Sequence, residues 1–161
     1  MPLKEAAIDC RVLREADPAA VELLYREAGW WEAGFTPDFI PPLVRGSFRF
    51  VGAFNAVGAM IGMGRAISDG CSDAYIQDIV VARAYRRSGI GRRIVALLVA
   101  ELHAAGVDWI GLIGAPGTEK FYSRLGFAPM PDYIPMLHQS AGPEPRRTRP
   151  LNRAENKKTP A

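Results

Sequence analysis

The chain has 161 residues, 48% of them hydrophobic and 23% charged, with a formal net charge of +3. That length suits one domain with a real core, and no apolar run approaches the ~20 residues that a helical membrane span needs. Two cysteines (Cys10, Cys71) and two histidines (His103, His138) make neither a disulfide framework nor a zinc cluster.

The opening residues, Met-Pro-Leu-Lys-Glu-Ala-Ala-Ile, lack the apolar region of a secretory leader, so the cytoplasm is the expected compartment. Residues 8–13 predict a first strand. Asp17-Pro18 reads as an N-cap followed by proline at the first helical position, opening a helix to Ala28 that Gly29 ends. Thr36-Pro37 repeats this logic for a short helix toward Val44, interrupted at Pro41-Pro42. Residues 48–54 and 57–67 read as two strands joined by a tight turn at Asn55-Ala56, and residues 74–81 as the next strand. A helix follows over residues 89–105, with Ile90, Ile94, Leu97, Leu98 and Leu102 on its apolar face and Gly106 as its stop. Residues 107–113 predict a strand, 118–125 a short helix with Gly126 as its cap, and 127–137 a last strand. Met60, Met63, Met130 and Met136 are expected in the core. The expected domain is residues 1–138.

Residues 139–161 hold six basic and two acidic side chains, +4 in all, which leaves −1 for residues 1–138. The tail has one large apolar residue, Leu151, and predicts a disordered basic extension. A near-neutral fold argues against nucleic-acid binding.

The most telling stretch lies between the strand ending at Val81 and the long helix. A helix N-terminus carries unpaired N–H groups and partial positive charge. Gly89 and Gly91 let an anion approach that backbone, and arginines 86, 87, 92 and 93 cluster around it, so the turn reads as a pyrophosphate seat. A bare helix start is the bland alternative.

Here the chain resembles the Gcn5-related N-acetyltransferase (GNAT) family. Arg86-Arg87-Ser88-Gly89-Ile90-Gly91 fills its Gln/Arg-x-x-Gly-x-Gly/Ala signature. Phe121-Tyr122-Ser123-Arg124-Leu125-Gly126-Phe127 is similar to its Phe-Tyr-x-x-Leu-Gly-Phe. The likeness is good over residues 48–130 and rests on element order before that. It implies an α/β fold: a mixed central sheet, splayed between two parallel strands and flanked by helices.

The resemblance also implies acetyl-CoA as co-substrate. The backbone from Arg86 through Arg92 would hold its pyrophosphate. The free edge of Ile79, Val80 and Val81 would pair with its pantetheine arm, and an N–H near Ile79 or Val80 would polarise the thioester. Tyr122 is the implied acid that meets the leaving thiolate, with aromatic packing beside Phe121 and Phe127 as the alternative. Asp78 is the candidate general base, directly or through water, and a structural carboxylate is an equal alternative. Gln77, on the adjacent strand position, faces the other side. Tyr75, Asp73 and Glu32 are weaker candidates. Ala115 stands where many relatives carry an asparagine that binds the cofactor. Trp30 and Trp31 lie in the segment that covers the family's acceptor groove, where one would line the acceptor pocket or stack on a cation. Simple packing explains them equally well. Cys71 has no partnered base and is not the expected nucleophile. The implied reaction is transfer of an acetyl group to the primary amine of a small molecule by direct attack, with no metal. A protein or peptide acceptor and a non-catalytic acyl-CoA-binding module are the alternatives, and a homodimer is compatible with the family.

Overall fold

The structure is a computed structural model and describes residues 8–138. The basic tail lies outside the described residues. The chain divides into two compact units, with the boundary after Leu112.

The first unit holds a five-stranded sheet in the order β1 (Asp9–Leu13), β2 (Arg49–Phe54), β3 (Met60–Ser68), β4 (Asp73–Val81), β5 (Trp109–Leu112). The first four strands are antiparallel neighbours, whereas β4 and β5 are parallel. A parallel pair requires a crossover, and helix α3 (Ile90–Ala104) supplies it. The mixed sheet and its parallel pair match the expected architecture.

Local chemistry explains the helix boundaries. Asp17 caps α1 (Pro18–Glu27) by accepting from the Ala19 N–H at 3.1 Å, and Pro18 sits at the first turn, where no donor is needed. The second predicted helix splits in two. A 3-10 turn covers Pro37–Phe39, and α2 runs Ile40–Gly46. Pro41 and Pro42 do not interrupt it, because they fall in its first turn. The hairpin between β2 and β3 is longer than the expected tight turn. Asn55 accepts from the N–H groups of Val57 and Ala59, which delays β3 to Met60.

Each face of the sheet carries a helix layer. On one, Val21, Leu24 and Tyr25 of α1 and Ile40 and Val44 of α2 pack on Phe50, Met63 and Val80. On the other, the Ile90–Ile94–Leu98 stripe of α3 lies close over Gly62 and Gly64 of β3. Among the described residues no helix is long and apolar enough to cross a membrane.

The second unit begins at Ile113 and contains helix α4 (Glu119–Ser123). The strand expected over residues 127–137 does not form; the five strands above are those of the described residues. Pro129, Pro131 and Pro135 remove ladder donors at alternate positions, which defeats the apolar pattern. Met130 and Met136 are consequently exposed rather than core, whereas Met63 is fully buried.

Candidate functional site

The turn between β4 and α3 has the backbone that an anion seat requires. After a 3-10 turn over Arg83–Tyr85, Arg87 takes φ +63° and Gly89 φ +79°, both left-handed. Gly89 is the N-cap of α3, provides no capping side chain, and faces open space at its Cα. The N–H groups of the first turn of α3 are therefore left to solvent or a ligand. The Ser88 hydroxyl turns back onto the Tyr85 carbonyl, away from the helix start.

The four arginines divide in role. Arg86 Nε donates to the Val81 carbonyl at 3.0 Å and ties the turn to the end of β4. Arg93 is engaged elsewhere, its guanidinium donating to the Ile8 carbonyl at 2.7 Å. Arg87 and Arg92 stand exposed.

β4 supplies an open edge. It pairs with β5 only from Asp73↔Trp109 to Ile76↔Leu112, then runs five residues further to Val81. The Ala82 N–H bonds the Ile61 carbonyl of β3 at 2.8 Å. Strand alternation then turns the backbone of Ile79 and Val81 to the opposite edge, beyond the end of β5. The Arg86 contact to the Val81 carbonyl agrees with this.

Within that edge β4 is bulged. Met63 pairs with Val80 but Arg65 pairs with Gln77, so Asp78 and Ile79 together oppose Gly64. Asp78 takes φ +57°. A left-handed non-glycine residue costs about 1–2 kcal/mol, less for Asp than for most. The extra residue corrects the expectation that Gln77 and Asp78 face opposite sides. One guanidinium reaches both: Arg65 Nε donates to Asp78 Oδ2 at 2.5 Å, and Arg65 Nη2 to Gln77 Oε1 at 3.0 Å. The Tyr25 hydroxyl donates to the same Asp78 oxygen at 2.8 Å. Asp78 is only 4% exposed and Arg65 8%. Burial pulls the Arg65 pKa below its ordinary value, and Tyr25 opposes that shift. One Asp78 oxygen thus receives both a guanidinium and a phenol donor. Tyr25 was not singled out from the sequence. Its signal is a polar tip on the apolar stripe Val21–Leu24–Tyr25 of α1.

Trp30 and Trp31 do not lie on a helix, since α1 has ended, and both are half-buried. They belong to an aromatic cluster: Tyr25–Trp30 at 6.0 Å, Trp31–Phe35 at 5.8 Å and Trp31–Phe39 at 5.7 Å between ring centroids. The cation over Trp31 is the chain's own Arg26, 4.9 Å from the ring centroid. Asp73 and Tyr75 are exposed on β4, and Glu32 is half-buried.

In the second unit, Tyr122 packs between Phe121 and Phe127, with centroids at 4.9 and 5.9 Å. The Phe127 N–H bonds the Tyr122 carbonyl at 3.2 Å, folding the Phe-Tyr-x-x-Leu-Gly-Phe segment on itself through Gly126 at φ +87°. Burial pushes the Tyr122 phenol above its ordinary pKa, so it stays protonated across the neutral range. Ala115 stands exposed. The Cys71 thiol is also pushed up, by the hydrogen bond and charge of Asp69, which disfavours the thiolate. Among the described residues no cluster of His, Cys, Asp and Glu could hold a metal ion.

A family model described as an acetyltransferase (GNAT) domain matches residues 46–129. The rice (Oryza sativa subsp. japonica) protein "Serotonin N-acetyltransferase 2, chloroplastic" is 38% identical over 82 residues, 51% of this chain and 41% of its own. The soybean (Glycine max) "Histone acetyltransferase TAP1" is 33% identical over 75 residues, 47% of this chain and 30% of its own. The chain thus spans less than half the length of these relatives. The solved structure of a probable acetyltransferase from methicillin-resistant Staphylococcus aureus superposes with a TM-score of 0.71. It is 22% identical, and the match covers 83% of this chain and all of that one.

Proposed function

This chain belongs to the GNAT acetyltransferase family, and we propose that it moves an acetyl group from acetyl-CoA to the primary amine of a small molecule by direct attack. One observation carries the reading. β4 runs past the end of its pairing with β5 and leads, through Arg86, into an uncapped helix N-terminus. A strand edge with free amides and an adjacent anion seat suit a ligand with an amide-bearing arm and a pyrophosphate.

In this reading the backbone from Arg86 through Arg92 binds the pyrophosphate, with the Arg87 and Arg92 side chains adding charge. The edge of Ile79, Val80 and Val81 pairs with the arm. Attack by a neutral amine puts negative charge on the thioester oxygen, and the Ile79 N–H is the donor proposed to meet it. Collapse expels a thiolate, to which Tyr122 gives a proton or a hydrogen bond, while the amine nitrogen releases its extra proton to water. The support for Tyr122 is its place in the motif and its protonated phenol. Asp78 is assigned a role in position, developed below.

The near-neutral 1–138 region favours a small acceptor over a strongly charged tail, and Trp30 and Trp31 are the proposed aromatic wall beside it. The expected compartment is the cytoplasm, although the rice relative is named chloroplastic. Thiol release from acetyl-CoA, followed with a panel that includes serotonin and a lysine-bearing histone-tail peptide, tests the proposal. Turnover with small amines supports it. Turnover with the peptide alone would transfer the acceptor to the protein class, and cofactor binding without turnover would make the chain a binding module.

A further inference from the structure

An aspartate in the left-handed region inside a strand needs something to hold it there. Asp78 has φ +57°, and both neighbouring strand segments are regular. Two side chains converge on it from different elements. Tyr25 comes from α1, Arg65 from β3, and Gln77 joins through Arg65.

What the bulge decides can be read from the faces on either side of it. Before it, Gln77 lies on the same face as Arg65. After it, Val80 enters the core with Met63 and Val21, while Ile79 lies across Gly64 beneath Ile94 and Leu98. A regular strand would shift every residue beyond position 78 by one, exchanging faces and edges together. The backbone of Ile79 would then turn inward to β3.

We infer that the buried Tyr25–Asp78–Arg65 network is a positioning device, which holds the bulge and so aims the Ile79 N–H into the open edge of β4. The inference rests on the proposed function, in which that N–H meets the thioester oxygen. Asp78 acts through the backbone and exchanges no proton with substrate. The device is specific in form: one carboxylate oxygen takes a phenol and a guanidinium, so losing either donor loosens the turn while the other remains.

The test uses full-length protein, acetyl-CoA and CoA as ligands, and the backbone amide of Ile79 as the NMR reporter. In wild type, acetyl-CoA should move that amide in a way that CoA does not, because only the thioester brings a carbonyl. Asp78→Asn should abolish the acetyl-specific shift and lower kcat by about 100-fold, the loss expected for one missing oxyanion donor. Tyr25→Phe should shrink the shift in part. The double variant Arg65→Met/Asp78→Gly removes both charges together, and glycine adopts φ +57° without an anchor. It should recover the shift and most of kcat with the best amine of the panel.

A general-base role for Asp78 gives the opposite pattern: an intact shift in Asp78→Asn, and no recovery in the double variant. A wild-type-like shift in both Asp78→Asn and Tyr25→Phe overturns the inference while leaving the proposed function standing. If the wild-type Ile79 amide ignores acetyl-CoA altogether, the proposed use of the β4 edge fails, and the inference with it.

Discussion

Gly64 of β3 sits where three constraints meet: opposite the β4 bulge, under α3, and against Ile79. A Cβ placed there would lie 2.4 Å from Ile79 Cδ1, 2.7 Å from Ile94 Cγ2 and 3.3 Å from Leu98 Cδ1. The first two distances are below any real carbon contact, so Gly64→Ala forces side chains on β4 and α3 to move. The backbone itself accepts alanine, because no positive φ is involved. Two effects then compete. Alanine restricts the unfolded chain, which favours the fold by about 0.4–1 kcal/mol. Overpacking a close-packed core costs about 1–3 kcal/mol. Overpacking wins, and the net loss should be about 1–2 kcal/mol. Urea unfolding should show a lower midpoint with an unchanged slope. Adding Ile79→Val deletes the nearest clashing atom, so the double variant should lose less than Gly64→Ala alone. A Gly64→Ala protein as stable as wild type would refute this account of how α3, β3 and the bulge pack. So would a double variant that loses the sum of both single effects.

Tyr122→Phe should lower kcat by about 100-fold and leave acetyl-CoA affinity within about twofold, measured by thiol release and calorimetry. Because burial raises the Tyr122 phenol, the donor is present throughout the neutral range. It is lost only as pH rises through that raised value, so any alkaline limb due to Tyr122 should lie above the ordinary ~10 of tyrosine. Arg87→Ala and Arg92→Ala should each weaken CoA binding about two- to fivefold in a salt-dependent way. Arg93→Ala should leave that affinity unchanged, because its guanidinium is engaged at Ile8. Asp69 accepts from Ser72 Oγ and from the N–H groups of Ser72 and Cys71, which hold its carboxyl well below the usual carboxylate range. Its contribution is thus complete above the ordinary ~3.9 and fades as pH falls toward the folded-state value. Ser72→Ala should raise the Asp69 midpoint in an NMR titration of the carboxyl carbon.

The elements that seat the site were legible because each carried an independent local signal. Asp17-Pro18 opened α1 with a cap and a suitable first residue, and Gly89 and Gly91 stood before a clean helical stripe. The apolar run of β4 ended where the turn began. The bulge left no such signal. Exposed and buried positions alternate from Asp73 to Val81 without a break, so the change of face at Asp78 is invisible in the pattern. It shows only in the register and in φ. Tyr25 was hidden for a related reason: an amphipathic stripe identifies which residues are buried but not which strand receives a polar tip. The missing last strand had the reverse fault. Apolar residues recur over 127–137, but three prolines remove donors that a ladder needs. The split of the arginines was a matter of reach, settled by the Val81 and Ile8 carbonyls rather than by spacing.

The central claim is that the β4 edge and the start of α3 form an acetyl-CoA site. The most direct test is calorimetric titration of acetyl-CoA into the wild-type protein beside Gly89→Glu. That substitution puts a charged side chain into the open space at the helix N-cap, at φ +79°. The account predicts micromolar binding to the wild type and its loss in the variant. Absence of binding to the wild type, or equal binding by a folded Gly89→Glu protein, would contradict it.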